Sequence, residues 1–204
     1  SLLPKLRGGA PIHKAIIDGY TKTGITIMYM DKKMDNGDII STSETEILDS
    51  DNLESLHDRL SIMGRDLLLK TLPSIIEGTN KRIKQNEDEV TYAYNIKREE
   101  EHINLNKTRR EVFNQIRGLS PVPGANLLID GEEFKIYGSE ISERKFTNKE
   151  IGEVTGLYKE GIGVMTLDGE IILTDIKPFG KKRMSASSYI NGLHDKSLVG
   201  KVLS

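Results

Sequence analysis

Ser1-Leu2-Leu3-Pro4-Lys5-Leu6-Arg7-Gly8-Gly9-Ala10-Pro11-Ile12 opens the chain, and Met30-Asp31-Lys32-Lys33-Met34-Asp35-Asn36-Gly37-Asp38-Ile39-Ile40 follows closely. The first stretch reads as a loop punctuated by proline and glycine, where bare backbone can approach a ligand. The second holds a carboxylate, Asp35, in a tight loop between two apolar runs. Between them, Pro11, Ile12, Ala15, Ile16 and Ile17 predict a short helix with proline in its first turn, ended at Asp18-Gly19. Ile25 to Met30 predicts a strand with apolar side chains on both faces, hence a central place in a sheet. A second strand starts at Ile39 and fades near Thr45. Strand, carboxylate-bearing loop and strand beside a helix read as α/β structure.

Further along, Asp51 with Glu54 three residues later predicts a capped helix start. Leu53, Leu56, Leu60, Met63 and Leu67 recur at alternating spacings of three and four, so one helix face packs on a core. Pro73 predicts a kink or restart, and Gly78 closes the helix. From Thr79 to about Asn106 the chain is highly charged and poor in large apolar residues, which marks a domain boundary. Thr108 and Glu111 cap a second helix that buries Val112, Phe113 and Ile116 and ends at Gly118, Pro121 and Pro123. Ala125 to Ile129, the Asp130-Gly131 turn and Glu133 to Tyr137 predict a hairpin. Glu153 to Tyr158, Ile162 to Leu167 and Glu170 to Ile176 continue the strand pattern, and a last helix runs from Ser185 to near Gly192. About five short strands in this length predict a small barrel or sandwich.

Composition narrows the function classes. The 204 residues contain no cysteine, which excludes disulfides and thiolate-metal sites. Clustered histidine is lacking too, so no metal site is expected. No apolar run is long enough to span a bilayer and no signal peptide is visible. The formal net charge is -2, but the balance from Leu105 onward is 15 basic to 13 acidic residues. The basic excess gathers at Lys177, Lys181, Lys182 and Arg183. Such a cluster is either a solvated loop or a phosphate-binding patch. Phe179 is the only aromatic close to it in sequence, so backbone contacts are expected over base stacking, and Lys97 and Arg98 can extend the surface. Asp35 likewise has two readings. It caps local amides as an Asx turn, or it orients an imidazole or holds a water. Met28, Met30 and Met34 read as packing residues, with Met34 a possible pocket wall. His13 is the one histidine near the two loops; His57, His102 and His194 read as surface or linker residues.

The two loops resemble the signature of the 10-formyltetrahydrofolate-using formyltransferases, in which an Asn-x-His-x-Ser-Leu-Leu-Pro loop is followed by an Asp-x-Gly-Asp-like loop. Arg7 to Ile12 resembles the Arg-Gly-Ala-Ala-Pro-Ile stretch of the methionyl-tRNA branch of that family. Gly24 to Met30 resembles its Thr-Gly-Val-Thr-Ile-Met strand, and Gly180-Lys181-Lys182-Arg183-Met184 its Gly-Lys-Lys-x-Met segment. The likeness covers nearly the whole chain, and the combination is far more specific than any one motif. The first 40 residues also resemble sugar N-formyltransferases and formyltetrahydrofolate hydrolases or dehydrogenases. Pro121-Val122-Pro123-Gly124-Ala125 and Gly180 to Met184 favour the tRNA branch.

The resemblance implies a truncated Rossmann-like catalytic portion over 1–90, a linker over 91–104 and an OB-like, tRNA-contacting domain over 105–204. It makes Asp35 the catalytic carboxylate. Ser1, Leu2, Leu3 and Pro4 contact the folate, and Lys177, Lys181, Lys182 and Arg183 contact tRNA. The co-substrate is 10-formyltetrahydrofolate with no metal, and the partner is methionyl-initiator tRNA. A monomer in the cytoplasm or an organellar matrix is the implied setting. The family's catalytic Asn and His fall before Ser1, so the chain is expected to begin inside the catalytic domain, to be inactive alone, and to leave a sheet edge uncovered. A non-enzymatic RNA-binding module with an inert remnant is the reading of another class.

Overall fold

The structure is a computed structural model that describes residues 1–193 and 197–204. It forms two compact units, Ser1–Ile96 and Lys97–Ser204.

The first unit contains α1 (Pro11–Ile17), β1 (Lys22–Met28), β2 (Ile39–Glu46) and α2 (Leu53–Ile76). Pro11 stands in the first turn of α1, where its missing N–H has no helical partner to lose. The core gathers Leu6, Ala15, Ile16, Ile47, Leu56, Leu60 and Ala93, with Ile12, Ile25 and Met63 packed against it. Leu56 and Leu60 are the buried centre of the leucine stripe. Burial of each is worth about 1.5–3 kcal/mol, and this face, more than helix propensity, holds α2 in place.

Three local expectations differ from the structure. Among the described residues β1 pairs only with β2, in an antiparallel ribbon, where a central strand would have two neighbours. The flank of β1 is instead met by the N-terminal loop, where Thr26 Oγ1 donates to the Ser1 carbonyl at 2.8 Å and accepts the Leu3 N–H at 3.2 Å. The cap of α2 is Asn52, whose side chain exchanges hydrogen bonds with Ser55. Asp51 is occupied elsewhere, accepting from the Leu48 N–H at 2.8 Å and from Arg59 at 2.6 and 2.9 Å. Finally, α2 runs through Pro73 to Ile76. The carbonyl deprived of a donor belongs to Leu69, which lies on the exposed side of the helix, where water can replace the lost bond.

Residues 80–96 are hydrogen-bonded along this unit. Ile83 exchanges both backbone bonds with Ile39, at 2.8 and 2.9 Å. The Arg7 N–H donates to the Thr91 carbonyl at 2.9 Å, and the Ala93 N–H to the Arg7 carbonyl at 2.8 Å. The charged stretch therefore delivers side chains to the loops at the start of the chain.

The second unit contains α3 (Arg109–Leu119), β3 (Ala125–Ile129), β4 (Glu132–Ile141), β5 (Val154–Leu157), β6 (Ile162–Met165), β7 (Glu170–Lys177), β8 (Met184–Ser185) and α4 (Ala186–Asn191). Thr108 and Glu111 form the expected capping box at the start of α3. Asp130 and Gly131 turn β3 into β4 with φ of 53° and 82°, the left-handed pair of a two-residue hairpin. The strands form one antiparallel sheet in the order β3-β4-β7-β6-β5, with β8 on β7. Val112, Ile116 and Leu119 of α3 are buried with Leu127, Ile136, Ile171, Leu173 and Ile176 of the sheet. Glu170 is also fully buried, held by Ser142 Oγ at 2.5 Å, by Thr155 Oγ1 and by Arg144 Nη1 at 3.5 Å.

Among the described residues β3 and β5, the outer strands, do not pair with each other. The C-terminal segment reaches both. Ser204 and Leu128 exchange backbone bonds at 2.5 and 3.4 Å, while the Val154 N–H donates to Lys201 and the Gly200 N–H to Val154, both at 2.8 Å.

Candidate functional site

The loop from Tyr29 to Asp38 is closed by the Tyr29 N–H donating to the Asp38 carbonyl at 3.0 Å. Gly37 is required there, because a Cβ would collide with the Tyr29 carbonyl. Asp35 adopts the left-handed conformation, with φ of 53°, which Asp tolerates better than most residues. Its Oδ2 accepts the Gly8 N–H at 2.8 Å. The carboxylate thus faces Gly8 of the N-terminal loop, beyond the Ser1–Pro4 stretch expected at the folate.

Side chains from three segments fix the geometry. Gln85 donates from Nε2 to the Asp35 carbonyl at 2.7 Å and to the Gly37 carbonyl at 2.8 Å. Its Oε1 accepts from Arg7 Nε at 3.1 Å and Nη2 at 2.8 Å. Arg7 also donates to Asn36 Oδ1 at 3.0 Å and pairs with Glu87 at 3.0 Å. The Arg7 side chain is only 4% exposed, so its donors are spent inside a polar hub rather than on solvent. Asn36 in turn donates to Asp31 Oδ2 at 2.6 Å. That bond and the Lys32 amide hold the Asp31 carboxyl below the usual carboxylate range. Arg7 opens the Arg7 to Ile12 motif, but nothing in that motif marks its role as a hub, and Gln85 does not stand out in the sequence at all. Gln85 falls in the charged stretch that reads as a boundary, and nothing in its neighbours marks it.

The four residues expected at the folate divide. The Ser1 carbonyl accepts from Thr26 Oγ1. The Leu3 amide is tied to Thr26. Leu2 lines a separate cavity of about 200 Å³ with Lys5, Leu6 and Tyr20. A larger cavity of about 400 Å³ is lined by Met30, Asn36, Gly37, Arg82, Lys84 and Gln85. Met30 and Met34, expected to pack, are 95% and 71% exposed. They sit on the tip of a polar loop, and no core faces them.

In the second unit, Lys177, Lys181, Lys182 and Arg183 are all exposed. Arg183 is bound by Asp175 in a bidentate pair at 2.6 and 3.0 Å and lies 4.3 Å over the Tyr137 ring. Lys181 Nζ lies 5.3 Å from the Tyr189 ring. Two tyrosines therefore stand at the cluster where the sequence offered only Phe179. Tyr137 arrives because β4 pairs with β7, and Tyr189 because α4 follows the Gly180 turn. Arg98, expected to extend the surface, is engaged by Glu101 and Glu133. His57 bonds Asp58 and His102 bonds Asn126. His13 is on α1, and His194 lies outside the described residues. Among the described residues no group of three His, Asp or Glu is placed to hold a metal ion, and no helix is long and apolar enough to cross a membrane.

Residues 1–72 match the formyl transferase family, and residues 95–194 match the formyl transferase C-terminal domain. The chain belongs to the formyl transferase family. It is 52% identical over all 204 residues to the methionyl-tRNA formyltransferases of Staphylococcus aureus strains MW2 and Newman, and spans 65% of their length. Among solved structures it is similar to an N-formyltransferase from Helicobacter canadensis in complex with folinic acid and dTDP-3-aminofucose. That match has 28% identity and a TM-score of 0.66, covering 84% of this chain and 62% of that one. It shares its fold with HypX from Aquifex aeolicus in complex with tetrahydrofolic acid, at 19% identity and a TM-score of 0.71, covering 96% of this chain and 34% of that one. The α/β content of a formyltransferase is thus present, and the N-terminal family match contains both loops of the Asp35 site.

Proposed function

We propose that the protein carrying this chain transfers a formyl group from 10-formyltetrahydrofolate to the amino group of methionyl-initiator tRNA, for the start of translation. The observation that carries the reading is the 52% identity to methionyl-tRNA formyltransferases, which runs through both units. The folate-type ligands named with the Helicobacter canadensis and Aquifex aeolicus structures support the same co-substrate.

In this reading Ser1–Pro4 holds the folate and Asp35 manages protons. The methionyl amine attacks the formyl carbon and the carbonyl electrons move to oxygen. The tetrahedral species then collapses with cleavage of the bond to folate N10. The amine loses a proton and N10 gains one; a fixed carboxylate beside the reacting groups, acting through an imidazole or a water, suits that transfer. Asp35 cannot donate to the oxyanion. The Asn and His that the resemblance places ahead of Ser1 would do so. Residues 1–90 then belong to the catalytic portion and 105–204 to an OB-like tRNA-contacting domain, and the connection between them falls within 91–104. The C-terminal segment that touches both β3 and β5 supports barrel closure of that kind. We further read the protein as a monomer of the bacterial cytoplasm or an organellar matrix, with Lys177, Lys181, Lys182 and Arg183 on tRNA phosphates.

The test is Asp35→Asn in the protein as its cell makes it. Formylation of methionyl-tRNA should fall about 10²- to 10⁴-fold in kcat, the span typical of a lost general acid-base group. An unimpaired variant removes Asp35 from the reaction. The likeness to the Helicobacter canadensis enzyme favours a second reading, an amino-sugar acceptor. Formylation of a dTDP-amino sugar in place of methionyl-tRNA would establish it.

A further inference from the structure

Thr91 to Asn95 runs extended past the Asp35 site. Its alternation puts Ala93, fully buried, on one side and Tyr92 and Tyr94 on the other. The two rings stack with centroids 5.7 Å apart and planes 12° from parallel. They are nevertheless 57% and 70% exposed. The backbone beneath them is fixed. Besides the Arg7 bonds to Thr91 and Ala93, the Ala10 N–H donates to the Ala93 carbonyl at 3.1 Å and the Leu6 N–H to Thr91 Oγ1 at 2.8 Å. Gly8, with φ of 129°, comes so near that a Cβ would stand 2.5 Å from the Ala93 carbonyl oxygen. Two large aromatic faces are therefore presented to solvent by a rigid support.

Beside them is a largely apolar cavity of about 320 Å³, lined also by Arg7, Gly8, Met34 and Asn95. Gly9 leaves the space that the Asn95 side-chain amide fills. The pocket joins the Asp35 site, since Met34 precedes Asp35 and Gly8 donates to its carboxylate.

We propose that this pocket takes the unpaired nucleobase at the 3′ end of an RNA strand, stacked on Tyr92 and Tyr94. Exposed aromatic faces are general platforms for unpaired bases. Asn95 supplies an amide able to meet a base edge, and Met34 is an adaptable apolar wall. Lys32 and Lys33, both exposed next to Met34, put positive charge where the strand's phosphates run. A nucleobase is favoured over a pterin because none of Ser1 to Pro4 lines this cavity. The inference rests on the reading of the acceptor as an aminoacyl-tRNA, whose terminal ribose-linked amine would then lie beside Asp35.

The experiment measures calorimetric binding of the trinucleotide CCA and, separately, of folinic acid to the protein as its cell makes it. Two variants are compared with the parent, Tyr92→Ala/Tyr94→Ala and Tyr92→Phe/Tyr94→Phe. The alanine pair should lose roughly tenfold to a hundredfold in CCA affinity with folinic acid unchanged, and the phenylalanine pair should stay close to the parent. CCA binding unaffected by the alanine pair overturns the proposal. So does a loss confined to folinic acid, which would make the pocket a pterin site. If the alanine pair does not fold, as judged by thermal melting, Tyr94→Ala alone answers the same question. Acceptor assays on the parent separate the two readings: formylation of a dTDP-amino sugar and not of methionyl-tRNA overturns the acceptor reading, whereas retained CCA binding in the alanine pair overturns the pocket alone.

Discussion

Gln85 holds the backbone of Asp35, its Nε2 donating to the Asp35 carbonyl at 2.7 Å while its Oε1 is fixed by Arg7. An amide flipped or removed here would free a loop whose carboxylate sits in a strained conformation. Gln85→Leu should therefore lower kcat for formylation about tenfold to a hundredfold, because misplacing a reacting group by ~1 Å can cost that much. KM for folate should move far less, because Gln85 acts through Asp35. A variant with unaltered kcat removes Gln85 from the positioning of that loop.

Gly37 gives a sharper steric prediction. A methyl group there meets the Tyr29 carbonyl, and the Tyr29 amide is itself bonded across the loop. Gly37→Ala is expected to destabilise the protein by about 2–4 kcal/mol, as local overpacking against backbone does. Chemical denaturation of the variant beside the parent checks it, and equal midpoints would show that the loop can yield.

The Asp51–Arg59 pair predicts a pH signature. Burial alone would raise Asp51, but Arg59, the Leu48 amide and Ser55 together hold it below its ordinary value of 3.8. A carboxylate with a depressed folded pKa adds stability that is fully present above the unfolded value and is lost as pH falls through the folded one. Asp51→Asn should thus cost roughly 1–3 kcal/mol at about pH 7. The difference from the parent should shrink below pH ~4. A gap that persists unchanged into strong acid would assign the loss to packing instead of charge.

The local signals are legible because each is written within a few residues. Asp130-Gly131 marks the hairpin, Thr108 with Glu111 marks a helix start, and the leucine stripe marks the buried face of α2. Asp35 and the N-terminal loop are legible through a resemblance, and the fold joins them by a hydrogen bond. What stays hidden depends on distant partners. Arg7 and Gln85 lie 78 positions apart, with no sequence pattern linking them. Asp51 reads as a cap until Arg59 and Leu48 compete for its oxygens, and β1 reads as central until its only described partner is β2. Tyr137 and Tyr189 join the basic cluster through strand pairing and a turn.

That cluster can be dissected by charge. Arg183 is already neutralised by Asp175, so it has less to offer a phosphate than Lys177 or Lys182. Removing one cation that neutralises a phosphate should reduce the slope of log K against log salt by about 0.7–0.9. We expect Lys182→Ala to do so in a tRNA-binding titration and Arg183→Ala to do so less. Equal slopes for both variants and the parent would remove the cluster from the RNA surface.

The segment from Gly200 to Ser204 bonds the margins of two strands that are remote in the chain, Leu128 on one side and Val154 on the other. Deleting residues 200–204 would strip both margins at once. Each bared row of amides and carbonyls is a template for a strand from another molecule. Protein lacking these residues would therefore betray itself as concentration-dependent clumping well before its secondary structure looked any different.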